Sequence, residues 1–250
     1  MVRTFLRPFF CLGMLVTATA GFIFLKNFSL RFAKAWAFYG YHLMYRIARM
    51  RIVVHGEQAP GTHLFVANHT SYLDILILGH LLRVPFIAKE SVRRWPLIGK
   101  TAEGTGGFFI SRSHRTLLKE LAFLQERLQE GQSYILFPEG TSGDGVTLQP
   151  FKSAFFQPKG EKSLQVQAIS IVPRKLNGLP LTYKFKKAYG WRGRLSLLAY
   201  VKGLCDLGAQ DIHVTLHPPV STASFEGRQP FAEALWQTVA QDMQAGAPLL

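Results

Sequence analysis

The stretch that decides the fold is HLFVANHTSYLD, which occupies residues 63–74. Its first part, His63–Ala67, is a short apolar run and predicts a buried strand. A helix is expected to begin between Tyr72 and Asp74, after a turn rich in small polar residues. The segment therefore predicts a strand, a turn and a helix in immediate succession.

His69 and Asp74 lie on either side of this predicted turn. If the chain turns into a helix between them, the carboxylate reaches one imidazole nitrogen, fixes its tautomer and stabilises the imidazolium. The other nitrogen is then available to take a proton from an attacking hydroxyl. The alternative is purely structural: Thr70 or Ser71 caps the helix, Asp74 favours its first turn, and His69 does no chemistry.

Outward from this segment, short apolar runs alternate with helical patterns as far as the C-terminus. The predicted strands are Arg51–Val54, His63–Ala67, Pro85–Ala88, Gly107–Ile110, Tyr134–Phe137, Val166–Val172 and Ile212–Leu216. Further helices are predicted from Ser113 to Gly131 and over Phe231–Met243. This alternation predicts an α/β fold with a mixed, largely parallel sheet flanked by helices. There is no repeat or low-complexity linker, so residues 51–250 are expected to form one domain.

Residues 1–50 are predicted to be a separate, membrane-associated helical segment. Pro8–Leu25 is uncharged and mainly apolar, long enough to span a hydrocarbon layer of roughly 30 Å. An interfacial helix and a signal peptide are the alternatives, the latter because Ala18-Thr19-Ala20 resembles a cleavage site. Apolar residues continue beyond that site, so a retained anchor is preferred. Leu30–Met50 continues with helical spacing, either packed on the body of the protein or touching the membrane.

The charge of the chain indicates an anionic partner. The formal net charge is +14, which suits nucleic acid, acidic lipid head groups or phosphate-bearing substrates. No acidic residue precedes Glu57, and basic residues mix with aromatic ones throughout that stretch. Such a mixture is typical of a membrane interface. Because the chain has no RNP-like pattern, a nucleic-acid partner is not expected.

Two more segments place polar groups at the ends of predicted strands. Gly106–Arg112 ends in a cation, and Arg112 can hold a phosphate through paired hydrogen bonds. Phe137–Thr141 follows an apolar strand, and its Pro-Glu-Gly turn can present a carboxylate and backbone N–H groups to a ligand at the sheet edge. Taken singly, an exposed arginine and a plain turn explain both segments equally well.

Other kinds of site are not supported by the sequence. Residues 140–144 lack the final glycine of the G-x-S-x-G turn of hydrolases. The histidines have no HExxH spacing, and the two cysteines, Cys11 and Cys205, lie too far apart to suggest a zinc motif. We therefore expect no metal, no bound cofactor and no disulfide framework.

Taken together and in order, NHTSYLD (68–74), GGFFISR (106–112) and FPEGT (137–141) resemble the motifs of the glycerolipid acyltransferase family. This family includes bacterial 1-acylglycerol-3-phosphate acyltransferases. The resemblance covers roughly residues 51–220, and an N-terminal anchor is usual in the family. A further stretch between the first two motifs matches at Lys89, Glu90, Pro96 and Gly99.

The resemblance implies a membrane-bound enzyme that moves a fatty acyl group from an acyl-carrier protein or coenzyme A thioester to the hydroxyl of a lysolipid. It implies His69 as the base and Asp74 as its partner, in a catalytic domain on the cytoplasmic side of a bacterial inner membrane. The residues expected to orient the acceptor head group are Arg112, Glu139, Gly140 and Thr141. A lipid hydrolase and a nonenzymatic lipid- or nucleic-acid-binding protein are the rival hypotheses.

Three departures from the family's pattern concern the acceptor. Ser142 stands where relatives that use lysophosphatidate carry arginine, Ser111 stands where aspartate is common, and Ala168 stands where proline is usual. Loss of a cation weakens the prediction of a phosphomonoester acceptor. Residues 140–145 together with Phe151-Lys152-Ser153 look more like the branch that acylates lyso-ornithine lipid. Both acceptors therefore remain open at this point.

Overall fold

The computed structural model describes residues 2–61, 64–95, 98–111, 114–156, 163–182 and 208–245. The helices are α1 (Val2–Leu25), α2 (Leu30–Ile47), α3 (Leu73–Leu82), α4 (Glu90–Arg93), α5 (Ile98–Gly104), α6 (His114–Gln129) and α7 (Arg228–Ala245). The strands are β1 (Met50–His55), β2 (Leu64–Ala67), β3 (Ile87–Lys89), β4 (Phe108–Ile110), β5 (Tyr134–Leu136), β6 (Gln165–Leu176), β7 (Leu179–Pro180), β8 (Gln210–Leu216) and β9 (Val220–Ser221). The predicted α/β class is confirmed.

The central sheet is mixed, as the sequence predicts, with the strand order β1-β8-β6-β2-β5. Strand β2 lies parallel to both β5 and β6, β1 lies parallel to β8, and β6 and β8 are antiparallel. Strand β6 continues well beyond the predicted Val166–Val172. It does so through an irregularity in register between Pro173 and Lys175, the kind of position where a proline is tolerated in a sheet.

A short parallel pair, β3 and β4, extends the sheet on the β5 side. The link is a parallel bridge between Phe86 and Ile135, supported by the Ile135 N–H, which donates to the Pro85 carbonyl at 2.9 Å. Strands β2, β5, β3 and β4 therefore all run in one direction. Their carboxyl ends meet at one edge, where open α/β sheets commonly place their sites.

The two faces of the sheet are covered by different helices. Strand β2 explains why, since all of its residues are buried and successive side chains point to opposite faces. On one face Phe65 packs with Ile77 of α3, and on the other Leu64 packs with Leu124 of α6 and Leu235 of α7. Burying each such side chain stabilises the fold by about 1.5–3 kcal/mol before entropy is counted.

The first two helices pack on each other and on the body of the protein. The Thr19 hydroxyl of α1 lies 3.1 Å from the Thr101 hydroxyl of α5, and both side chains are buried. Tyr41 of α2 lies over Gly79 of α3, where no side chain would fit. The structure thus supports the interpretation that Leu30–Met50 is a helix packed on the body. We call α1 and α2 the hairpin.

The hairpin and its connecting turn expose large apolar side chains. Five of these rings are 62–75% accessible, and they belong to Phe9, Phe10, Phe24, Phe28 and Phe32. Within the ranges described above, no helix combines the length and the apolarity needed to cross a bilayer. The transmembrane span predicted over residues 8–25 is therefore not supported.

Candidate active site

Asp74 organises the turn between β2 and α3. Its side chain is completely buried, and its Oδ2 accepts hydrogen bonds from the Thr70 N–H at 2.7 Å and the Ser71 N–H at 2.8 Å. The same oxygen lies 3.1 Å from His69 Nδ1. The contacts that the structural and the chemical interpretations of this motif each require are therefore both present. The carboxylate that holds the first turn of the helix also orients the imidazole.

The His69 ring is held with one nitrogen turned toward the protein. Because Nδ1 faces the carboxylate, Nε2 is the nitrogen that can exchange a proton with a ligand. One face of the ring stacks on Phe137, with 4.1 Å between centroids and 18° between planes. The side chain is 12% exposed. An imidazole that is oriented, largely desolvated and still reachable has the requirements of a general base.

The backbone around His69 is fixed from two sides. The Asn68 amide donates to the Ile171 carbonyl at 2.9 Å and accepts from the Ile171 N–H at 2.7 Å, which ties the end of β2 to β6. The Gly143 N–H donates to the His69 carbonyl at 2.7 Å. Asn68 was known from the sequence only as a part of the motif, since its partner lies on a distant strand.

Glu139 joins the two motifs at the ends of β2 and β5. One carboxylate oxygen accepts from the His69 N–H at 2.6 Å, and the other accepts from the Gln149 N–H at 2.9 Å. The side chain is only 4% exposed. Burial raises the pKa of Glu139 to about 7, although both N–H donors act to lower it, and the charges of Asp74 and Asp144 raise it further. Its described contacts position the backbone on which His69 sits.

Because Glu139 is buried, the stability of the folded protein should depend on pH. The pKa of Glu139 is higher in the folded protein than its ordinary value of 4.5, so its contribution to stability is complete below about pH 4.5 and is lost as the pH rises through about 7. Relative to Glu139→Gln, the unfolding free energy of the wild type should fall by up to about 3 kcal/mol over that interval. Chemical denaturation of both proteins at several pH values measures it. Parallel pH profiles would contradict the assignment.

The remaining predicted head-group residues lie on the same loop or beyond the described part of the chain. Gly140 has a φ of +68°, and the ammonium group of Lys152 occupies the space where a side chain at position 140 would be. Thr141 is exposed beside it. Arg112 falls outside the described residues, although β4 and Ser111 lead to it. Lys152 is a cation near the site that sequence analysis did not assign to it.

Aromatic side chains surround the imidazole. Tyr72 approaches the His69 ring edge-on at 6.4 Å, Trp95 lies against Tyr72 at 5.8 Å, and Phe86 stacks on Phe137 at 5.8 Å. These rings provide an apolar surface beside a proton acceptor, which suits a substrate with both a hydroxyl and a hydrocarbon chain. Among the described residues, no group of three or more His, Cys, Asp or Glu side chains is arranged to hold a metal ion.

Comparison with known proteins places this geometry in context. A family model described as "Acyltransferase" matches residues 51–173, which include both motifs that meet at the site. A lyso-ornithine lipid O-acyltransferase from Rhodobacter capsulatus is 31% identical over 202 residues, which cover 79% of this chain and 71% of the relative. A protein of the same name from Brucella abortus is 30% identical over 214 residues, covering 82% and 80% of the two chains.

The chain is also similar to proteins named for a different acceptor. A 1-acyl-sn-glycerol-3-phosphate acyltransferase from Neisseria gonorrhoeae is 35% identical over 113 residues, 45% of this chain and 44% of the relative. The crystal structure of a 1-acyl-sn-glycerophosphate acyltransferase from Thermotoga maritima superposes with a TM-score of 0.70 at 19% identity. It covers 98% of this chain and 96% of that one. At 19% identity, this likeness is evidence for a shared fold only.

Proposed function

This chain belongs to the acyltransferase family, and on that premise we propose that it transfers a fatty acyl group from a thioester to the hydroxyl of a lysolipid. The observation that carries the proposal is the pair formed by His69 and Asp74, with 3.1 Å between Nδ1 and Oδ2. It provides a general base at the sheet edge, while residues 140–144 lack the G-x-S-x-G turn that would present a serine nucleophile. Direct transfer between two bound substrates requires a general base but no covalent acyl-enzyme.

The proposed step begins when His69 Nε2 takes the proton of the acceptor hydroxyl. The oxygen then attacks the thioester carbonyl, the carbon–sulfur bond breaks, and the proton ends on the departing thiol. Asp74 stabilises the imidazolium that exists between these events. General-base help of this kind is worth about 10²–10⁴-fold in rate, and holding both substrates in place supplies much of the rest.

Lyso-ornithine lipid is the acceptor that we favour over lysophosphatidate. The lyso-ornithine relatives from Rhodobacter capsulatus and Brucella abortus align over 71% and 80% of their own lengths, whereas the Neisseria relative aligns over 44% of its length. Ser142 also replaces the arginine expected beside a phosphomonoester. Arg112 and the turn of Glu139, Gly140 and Thr141 are the proposed surroundings of the head group, with Lys152 as an added cation near Gly140.

The test is acyl transfer by the purified full chain in detergent. Labelled acyl-carrier protein and acyl-coenzyme A would each be offered with lyso-ornithine lipid and with lysophosphatidate. Acylated ornithine lipid is the expected product. Labelled phosphatidate alone would reverse the choice of acceptor, whereas release of free fatty acid without acylated lipid would favour the hydrolase alternative.

We further propose that the exposed phenylalanines of the hairpin lie in a membrane interface. The exposed phenylalanines belong to α1, α2 and the turn between them, and other residues of these two helices pack against the catalytic domain. Rings at head-group depth and nearby basic residues such as Lys26 and Arg31 suit an anionic bilayer. Because α2 also packs on α3, which starts at the Asp74 turn, such docking would place His69 close to lipid substrates.

Replacing Phe24, Phe28 and Phe32 together by serine should weaken binding to anionic vesicles by at least about tenfold, because each buried ring contributes about 1.5–3 kcal/mol. Sedimentation with vesicles measures the binding. Leu179→Ser is the matched control, since Leu179 is 71% exposed and belongs to β7 rather than to the hairpin. Wild-type sedimentation of the triple variant would contradict the proposed orientation.

A further inference from the structure

An open groove of about 560 Å³ runs along β4, the outermost strand on its side of the described sheet. It is lined by Gly106–Phe109 and by the α6 side chains Lys119, Phe123 and Arg127. Strand β4 reaches β2 only through β3 and β5, and three strand spacings amount to about 14 Å. The groove is therefore separate from the site at His69, and a molecule bound in it need not be a substrate.

The groove places positive charge beside aromatic rings. The Arg127 guanidinium lies 4.8 Å from the Phe123 ring centroid, and the Arg93 guanidinium lies 4.6 Å from that of Phe109. Lys119, which also lines the groove, is exposed. The groove thus offers cations next to apolar surface, which suits a phosphate joined to hydrocarbon.

The carboxylates near the groove leave room for an anion. The arginines pair at 3.1–3.9 Å with three glutamates, Glu90, Glu103 and Glu130. All members of these pairs are 40–60% exposed, and exposed pairs of this kind are weak. Glu120 also lines the groove, but its carboxylate accepts from the Ser111 N–H at 2.8 Å. A phosphate can therefore compete for the guanidinium groups.

The groove borders the hairpin at the turn that leads into β4. Gly106, which lines the groove, has a φ of +98°, and a Cβ placed there would lie 3.6 Å from the ammonium nitrogen of Lys34 in α2. Two residues earlier, the ring of Phe22 in α1 occupies the space beside Gly104. Both helices of the hairpin therefore reach this turn, and Lys34 adds a cation at this end of the groove.

From this arrangement we infer that the groove binds a membrane phospholipid of net negative charge, with its phosphate at Arg127 and the start of its acyl chains against Phe123. The inference rests on the proposed docking of the hairpin in a membrane interface. Phe123 is 46% exposed beside a cation, and aromatic rings mixed with basic residues are typical of contact with anionic lipid. Such a lipid holds the catalytic domain, and not only the hairpin, against the bilayer.

The first test is sedimentation of the full-length chain with vesicles of phosphatidylcholine, with and without phosphatidylglycerol. Arg127→Glu should weaken binding to the vesicles that contain phosphatidylglycerol by about tenfold or more, the effect of one charge-assisted contact. Its binding to pure phosphatidylcholine should not change. Arg127→Lys should keep most of the wild-type affinity. Arg228→Glu, an equal change of charge at an exposed residue of α7 outside the groove and the hairpin, should bind like the wild type.

Photo-crosslinking then locates the bound lipid. Phosphatidylglycerol with a diazirine at the start of one acyl chain should label peptides that contain Phe108 or Phe123. In Arg127→Glu this labelling should be lost, while labelling of the hairpin persists. Circular dichroism shows whether each variant remains folded.

Several outcomes would overturn the inference. They are unchanged vesicle binding by a folded Arg127→Glu variant, an equal loss in Arg228→Glu, and crosslinks confined to the hairpin. A variant that lost binding to an acidic carrier protein but not to vesicles would assign the groove to a protein partner instead. If the wild type bound neither kind of vesicle, the docking of the hairpin would be refuted as well. Acyl transfer in detergent is a separate measurement, so the proposed reaction stands or falls independently.

Discussion

Replacement of His69 by alanine is expected to lower kcat/KM for acyl transfer by about 10²–10⁴-fold, because the acceptor hydroxyl then loses the group that takes its proton. The ring also contacts Phe137, so the variant loses some packing along with the base. The measurement is initial rate against lysolipid concentration at saturating thioester. Thermal unfolding followed by circular dichroism shows whether the variant remains folded.

A suitable control is His55→Ala. His55 is an exposed histidine at the end of β1, whose described hydrogen bond is to His213 rather than to any residue of the site. Its replacement should leave the rate unchanged. If a folded His69→Ala variant kept more than about a tenth of the wild-type rate, the general-base role would be refuted. The fold and the family would be unaffected by that outcome.

The second large effect is expected for Asp74→Asn, with a fall in kcat of about 10²–10⁴-fold and little change in the KM of the lysolipid. Asparagine keeps an oxygen that can accept from the Thr70 and Ser71 N–H groups, so the first turn of α3 should persist. What is lost is the negative charge that stabilises the imidazolium and selects the tautomer of His69. The KM and kcat values are obtained from the same rate measurements.

Asp242→Asn tests whether the effect is specific to this pair. Asp242 lies 3.5 Å from Nε2 of His217, so it is also a carboxylate beside a histidine, but it belongs to α7. Its variant should retain wild-type kcat. Equal losses in the two variants would indicate a general effect on stability. Asp74→Ala, which also removes the acceptor of both turn N–H groups, should in addition destabilise the protein by about 1–3 kcal/mol.

Much of the fold follows from local pattern. The apolar run at 64–67, the polar turn and the helix starting at Leu73 lie where the sequence predicts them. Each strand predicted after them is found within a few residues of its predicted position, whereas β7 and β9 were not predicted. The small helices α4 and α5 were not predicted, since they are too short for a clear periodicity. The predicted membrane span was not supported, because no described helix is both long enough and apolar enough to cross a bilayer.

By itself, the sequence determined the strand–turn–helix around His69 and the pairing with Asp74, because these residues lie within one turn and their contact is set by local backbone geometry. Only the tertiary structure decided the role of Glu139, which lies 70 residues from His69 and reaches its N–H because β2 and β5 are neighbours. The same holds for Asn68 and Ile171, 103 residues apart. Contacts at such separations depend on strand order and register, which hydrophobic pattern constrains only loosely.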